Sequence, residues 1–259
     1  MADADSVVAQ AALDRAAEEH NLLLVYQPIH EARTRKVYAA EALLRQRRQS
    51  GEIREASIIT ETAELGPELF SLDSWALRTA YRDAAQWQSN GAPDVRINVN
   101  LSPREFQEGN VHSRLKDLVH CCGIDTKEIN LEITEISHIH NPEETVEILD
   151  ELKKLGLEIW LDDFGTGHSS ITHLQQFPVD GLKISGEFVK GIVANRRSRA
   201  ITRALIALAH DIGIKVVAEG IERQEQLDLL LDWDCDYIQG FLFSRPMTLE
   251  RFESMLAAR

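Results

Sequence analysis

Apolar and polar positions along the chain follow two alternating periods. Leu22–His30 (LLLVYQPIH) is an apolar run of strand length, and Lys36–Arg45 (KVYAAEALLR) follows after a short polar turn. Val95–Leu101, Ile129–Glu135, Glu158–Phe164, Gly181–Ser185, Lys215–Glu219 and Tyr237–Phe243 bring the strand-like segments to eight. Short apolar runs bounded by polar residues predict strands. Between most of them the spacing turns helical, near Ile53–Leu65, Pro67–Ser89, Val111–Cys122, Pro142–Leu155, Ser169–Phe177, Arg196–Ile212, Gln224–Trp233 and Thr248–Ala258. Ser102-Pro103-Arg104-Glu105 reads as an N-cap, a proline at the first helical position and an acidic first turn. Gly156 and Gly213 end helical patterns.

Strands that alternate with helices predict an α/β fold. No Ser/Gly/Pro-rich linker and no repeat of fixed period divides them. A TIM-like (β/α)8 barrel takes roughly 250 residues, and the chain has 259. The rival doubly wound sheet lacks its GxGxxG turn after the first strand. Only Glu31–Arg35 joins the first two strands. That is too short for a parallel crossover, so the first strand is expected to pair antiparallel. The expected organisation is an Ala- and Glu-rich helix or linker stub over 1–20, then one barrel domain over 21–259.

Composition narrows the function. With 44% hydrophobic and 27% charged residues the chain is ordinary globular material. Its 28 Lys+Arg against 42 Asp+Glu leave a net charge of −14, which argues against a nucleic-acid polymer as partner. No apolar run reaches the ~18 residues of a membrane span. The start, Met1-Ala2-Asp3-Ala4-Asp5, is acidic and has no apolar leader after it. Of three cysteines, Cys121 and Cys122 are neighbours and Cys235 stands apart, with no CxxC spacing. A reduced, cytoplasmic protein is expected.

The informative feature is where polar residues interrupt apolar strands. These are Glu41, Asn100, Glu132 with Glu135, Asp162 with Asp163, Lys183, Glu219 and Gln239, at least one in each of seven successive strands. In a barrel such side chains converge on one mouth, where active sites lie. One acidic residue in a strand is more often an ion pair or a rim residue than a ligand; the joint pattern points to a site. Several converging carboxylates against one lysine cannot all stay ionised without counter-charge. Oxygen donors suit Mg²⁺ or Mn²⁺ rather than Zn²⁺. Adjacent Asp162 and Asp163 could bridge two ions, a common device for phosphodiester displacement.

The same residues resemble the EAL domain family. Glu41-Ala42-Leu43 followed by Leu44-Arg45 matches its signature. So do Tyr26-Gln27-Pro28-Ile29, Asn100-Leu101-Ser102, Glu132-Ile133-Thr134-Glu135, Asp162-Asp163-Phe164-Gly165-Thr166-Gly167 with Ser169-Ser170, Lys183-Ile184, Ala218-Glu219-Gly220-Ile221-Glu222 and Gln239-Gly240-Phe241. The match runs in order from about Leu23 to Phe252. The resemblance implies a barrel with an antiparallel first strand. It implies a metal-dependent phosphodiesterase that linearises cyclic di-GMP to pGpG in bacterial signalling, with biofilm control as the setting. It further implies two Mg²⁺ or Mn²⁺ ions, inhibition by Ca²⁺, a homodimer and a regulatory sensor domain outside this chain. Glu41, Asn100, Glu132 and Asp162 would hold one metal and Asp162 with Asp163 the second. Glu219 would bind a metal or orient water at it. Lys183 would contact the attacking water and Gln239 would orient groups near the metals. Gln27 and Arg45 look like substrate contacts, with Arg104 a weaker one, and Glu135 like the anchor of the Asp163–Ser170 loop.

The sequence departs from the family in places. Lys183-Ile184 is followed by Ser185 where the family usually has Asp, and Ser185 shares a face with Lys183. A slower enzyme is expected. Arg45 is followed by Gln46 rather than Trp, and His168 stands where an aromatic is common. His138 and His140 lack a third soft ligand, and the basic run Arg45-Gln46-Arg47-Arg48 reads as a solvated turn. Two rival functions stand beside the phosphodiesterase: a cyclic di-GMP receptor that does not cut, kept open by Ser185, and a barrel acting on another small phosphodiester, disfavoured by Gln27 and Arg45.

Overall fold

The computed structural model describes residues 21–55, 66–92, 94–101, 111–113, 115–116, 125–134, 142–165 and 171–258. Nine strands are described: β1 (Leu22–Glu31), β2 (Val37–Arg47), β3 (Ile53–Glu55), β4 (Arg96–Leu101), β5 (Ile129–Thr134), β6 (Glu158–Phe164), β7 (Gly181–Ile184), β8 (Lys215–Ala218) and β9 (Tyr237–Ile238). They run β1-β9-β8-β7-β6-β5-β4-β2-β3, and the further pairing of β1 with β2 closes eight of them into a barrel. β1 is antiparallel to both neighbours, as the short Glu31–Arg35 connection predicts. From β2 through β4 to β9 the ring is parallel.

The helices are α1 (Gly66–Ser89), α2 (Pro142–Lys154), α3 (Ile171–Gln176), α4 (Gly186–Gly191), α5 (Arg196–Asp211), α6 (Gln224–Asp232) and α7 (Leu249–Ala257). Leu77, Ala80, Tyr81, Ala84 and Trp87 recur every three or four residues on α1 and are all buried. Trp87 Nε1 donates to Val95 O at 3.1 Å, which ties the end of α1 to the start of β4. The main apolar core lies between strands and helices. A second, small cluster of Ile29, Ala39, Trp160 and Val217 fills the barrel interior. Gly181 sits opposite Trp160, where an added Cβ would stand 2.2 Å from the ring. Only glycine leaves room for the indole at this position. Truncating such a fully buried Trp to Ala costs about 3–5 kcal/mol.

Three boundaries differ from the sequence pattern. The helical spacing near Ile53–Leu65 does not hold at its start: Ile53–Glu55 pairs antiparallel with Arg45–Arg47 as β3. Tertiary pairing outweighs local spacing there, and 56–65 lie outside the described residues. β9 stops at Ile238, because Phe243 N and Ser244 N both bond back to Gly240 O and fold the chain into a turn. Ser185 leaves the strand to cap α4, a six-residue helix too short to show a period. The helix expected over Ser6–His20 lies outside the described residues, and so does most of Val111–Cys122.

Candidate active site at the carboxyl ends of the strands

Strand alternation sets the site above the interior plug. Ile29, Ala39, Trp160 and Val217 lie two positions from Gln27, Glu41, Asp162 and Glu219. Residues two apart share a face of a strand. The apolar members therefore form a floor and the polar members rise above it at one mouth.

Lys183 stands at the centre. Its Nζ is 2.7 Å from Glu219 Oε1, 2.9 Å from Glu132 Oε2, 3.0 Å from Asp162 Oδ1 and 3.5 Å from Glu41 Oε1. The lysine side chain is 1% exposed and Glu132 is fully enclosed. Four carboxylates thus meet one ammonium, an excess of three negative charges if all ionise. Burial pulls the Lys183 ammonium toward its neutral form, but Asp162, Glu132, Glu219 and Glu41 together hold it well above the usual lysine range. Burial lifts the Glu132 carboxyl well above normal; Lys183 opposes this, and Glu41 and Asp162 add to it. Burial likewise pushes Glu219 up to about 8, with Lys183 opposing and Asp162 and Glu41 reinforcing.

Asp162 and Asp163 are adjacent, so on a regular strand they would face opposite ways. The β6–β7 register slips between Leu161 and Phe164, and Asp163 takes a positive φ of 50°. This bulge lets both carboxylates line the same cleft. Asp is among the few side-chain-bearing residues that enter the left-handed region at modest cost. Burial raises the Asp163 carboxyl and so does Asp162, while a hydrogen bond from Ser185 lowers it. Ser185 therefore lies at the site, as its shared face with Lys183 predicts.

The cleft is about 450 Å³, lined in part by Gln27, Glu41, Arg45, Asp162, Asp163, Glu219, Gln239 and Phe241. Gln239 Nε2 donates to Glu41 Oε2 at 2.6 Å. Gln27 Nε2 donates to Ser244 O at 3.2 Å. Arg45 Nη1 donates to Leu44 O at 2.8 Å, and its Nη2 lies 3.8 Å from Glu55.

The donor set fits a divalent cation. Among the described residues no three acidic, histidine or cysteine side chains close on a point of their own. The point the carboxylates share is held by the ammonium. Even so, Glu132 Oε2, Asp162 Oδ1 and Gln239 Oε1 are buried without an aligned hydrogen bond, although the first two lie 2.9 and 3.0 Å from Nζ. Buried acceptors left in this state favour a cation. Oxygen donors alone suit Mg²⁺ or Mn²⁺.

The structure gathers Glu41, Glu132, Asp162, Lys183 and Glu219 into direct contact, and brings Gln27, Arg45, Asp163 and Gln239 to the same cleft. Asn100 is not gathered with them. It pairs in register with Glu132 but is exposed and outside the cleft lining. Arg104, Glu135, His138, His140 and His168 lie outside the described residues. The sequence reading passes over Asn98 and Asn130, both fully buried inside the barrel. Their signal is the two-residue spacing to Asn100 and Glu132.

The chain is similar to known proteins over nearly its whole length. The family model for the EAL domain matches residues 10–246. The signaling protein YkoW of Bacillus subtilis is 34% identical over 94% of this chain and 30% of its own length. The cyclic di-GMP phosphodiesterase NbdA of Pseudomonas aeruginosa is 34% identical over 95% of this chain and 31% of its own length. The chain thus spans about a third of these relatives. A solved structure of PaMucR phosphodiesterase in complex with c-di-GMP superposes with a TM-score of 0.86 at 30% identity, covering 94% of this chain and 99% of that one.

Proposed function

The chain belongs to the EAL domain family, and on that footing we propose that it is a metal-dependent phosphodiesterase that opens cyclic di-GMP to linear pGpG. The observation that carries the reading is the buried Lys183 ammonium among Glu41, Glu132, Asp162 and Glu219, beneath a cleft that Glu41, Asp162 and Glu219 line. Glu41, Glu132, Asp162, Asp163 and Glu219 are the residues that would hold two Mg²⁺ or Mn²⁺ ions, and Asn100, in register with Glu132, would join them only by turning its amide inward. Bound there, such ions supply the positive charge that an anionic phosphodiester and a hydroxide need to meet.

The remaining work falls to the chain's own side chains. Water adds to phosphorus, the bond from phosphorus to the 3′ oxygen breaks, and that oxygen takes up a proton. Glu219, which lines the cleft with its Oε1 2.7 Å from Lys183 Nζ, would orient the attacking water once the ions hold its carboxylate ionised. Lys183 stays charged and faces the negative charge that builds on phosphorus. Arg45 offers a guanidinium to phosphate oxygens, and Gln27 lines the same wall. Gln239 keeps Glu41 turned inward.

The test is chromatographic turnover of cyclic di-GMP with Mg²⁺ or Mn²⁺, beside an EDTA control and Glu41→Ala. The expected result is pGpG that appears only with metal and is lost in the variant. Tight binding of intact cyclic di-GMP without product would place the chain among receptors instead.

A further inference from the structure

Below the carboxylate cluster the barrel interior holds a row of polar side chains that the chemistry above does not use. Asn98 Nδ2 donates to Glu132 Oε1 at 2.7 Å. Asn130 Nδ2 donates to Asn98 Oδ1 at 2.8 Å. Arg96 Nη1 donates to Asn130 Oδ1 at 3.2 Å and pairs with Glu158 at 2.5 Å. Asn98 and Asn130 face each other across the β4–β5 pairing and are fully buried.

The direction of this row follows from its ends. A guanidinium can only donate and a carboxylate can only accept. Arg96 therefore fixes the carbonyl of Asn130 toward itself, which turns the Asn130 amide to Asn98. Asn98 must meet that amide with its own carbonyl, which turns its NH₂ to Glu132. Every donor in the row points the same way, from the cation at the barrel floor to the carboxylate at the mouth. Glu132 is then gripped on Oε1 from below, and its Oε2 is left facing Lys183.

We propose that Asn98 and Asn130 form an oriented amide relay, anchored by Arg96, that sets the position of Glu132 for the cation the site takes up. They are positioning residues: neither lines the cleft. The relay deepens the phosphodiesterase reading and rests on it for its purpose, not for its geometry. Groups that orient a metal ligand in this way typically cost 10–100-fold in affinity when removed. An apolar residue of similar size at 98 would leave a buried carboxylate oxygen with no donor, a penalty larger than the loss of the bond alone.

The experiment uses the whole chain, with Asn98→Leu and Asn130→Leu in parallel. Calorimetry with Mn²⁺ alone should show affinity weakened roughly 10–100-fold for Asn98→Leu and by a smaller factor for Asn130→Leu. The KM for cyclic di-GMP at saturating Mn²⁺ should stay as in the parent. Unchanged Mn²⁺ affinity in a folded Asn98→Leu would overturn the relay, and so would a larger loss in Asn130→Leu than in Asn98→Leu. A second arm needs no metal. Asn98→Leu should lower the melting temperature, and adding Glu132→Leu should recover part of that loss, because the orphaned carboxylate is gone. Additive losses in that double-mutant cycle would overturn the relay whatever the calorimetry shows. A parent chain that binds no Mn²⁺ would sink the phosphodiesterase reading alone, and the melting cycle would still decide the relay.

Discussion

Gln239 donates to Glu41 at 2.6 Å across a sequence separation of 198 residues, joining the turn after β9 to the middle of β2. It fixes a carboxylate that also faces Lys183 at 3.5 Å. Gln239→Leu should release Glu41 and reduce metal affinity roughly 10–100-fold, with turnover at low metal falling in step. Metal titration of activity checks this; an unchanged half-saturation point would assign Gln239 to substrate instead.

Lys183→Met should be costly in the metal-free protein. It removes the one cation from among four carboxylates that are mostly buried. Breaking a buried charge cluster from one side costs about 3–5 kcal/mol. Millimolar Mg²⁺ or Mn²⁺ should recover much of that loss. Thermal melts with and without the ion measure both, and a variant as stable as the parent in EDTA would mean that the carboxylates are neutral together.

Glu219 should make metal uptake pH-dependent. Its carboxyl is pushed up to about 8 in the folded chain against an ordinary value of 4.5. The unfolded chain therefore loses this proton first. The group's contribution to metal-free stability is complete below 4.5 and is lost as pH rises to about 8. Cation binding runs the other way and tightens over the same range, releasing protons. Calorimetry at pH 7 in two buffers of different ionisation enthalpy should give different heats; identical heats would mean that Glu219 is already ionised.

Ser185→Asp is expected to raise turnover a few-fold with metal bound and to lower the melting temperature in EDTA, because a further carboxylate replaces the donor to Asp163. Asp is as good a helix cap as Ser, so α4 keeps its start. The new carboxylate would sit against Asp163, where Ser185 now donates a hydrogen bond. Steady-state rates decide it, and a variant no faster than the parent would mean that Ser185 does not limit the proposed turnover.

Much of this architecture can be read from residue order. Glu158–Phe164 is a strand, Pro142–Lys154 and Arg196–Asp211 are helices, and each shows its own period without help from distant residues. The antiparallel start follows from the length of one connection. What escapes is set by tertiary contact. Ile53–Glu55 becomes a strand only because β2 extends far enough to receive it. The bulge at Asp163 leaves no mark in composition, since its cause is a slip against β7. Asn98 and Asn130 look like ordinary alternation until the barrel places them opposite each other. The convergence of Glu41, Glu132, Asp162, Lys183 and Glu219 is foreseeable, but not that one ammonium would sit within 3.5 Å of all four carboxylates.

The groups around Lys183 come from β2, β5, β6 and the residue just past β8, and Gln239 follows β9. No single strand and no adjacent pair of strands holds more than part of the set. A growing polypeptide that has emerged only through β7 carries Lys183 and three of its partners but lacks Glu219, Gln239 and the last strand that shuts the ring. The proposed hydrolytic site should therefore assemble late and all at once during synthesis, and loss of the carboxyl-terminal strand should abolish it completely rather than by degrees.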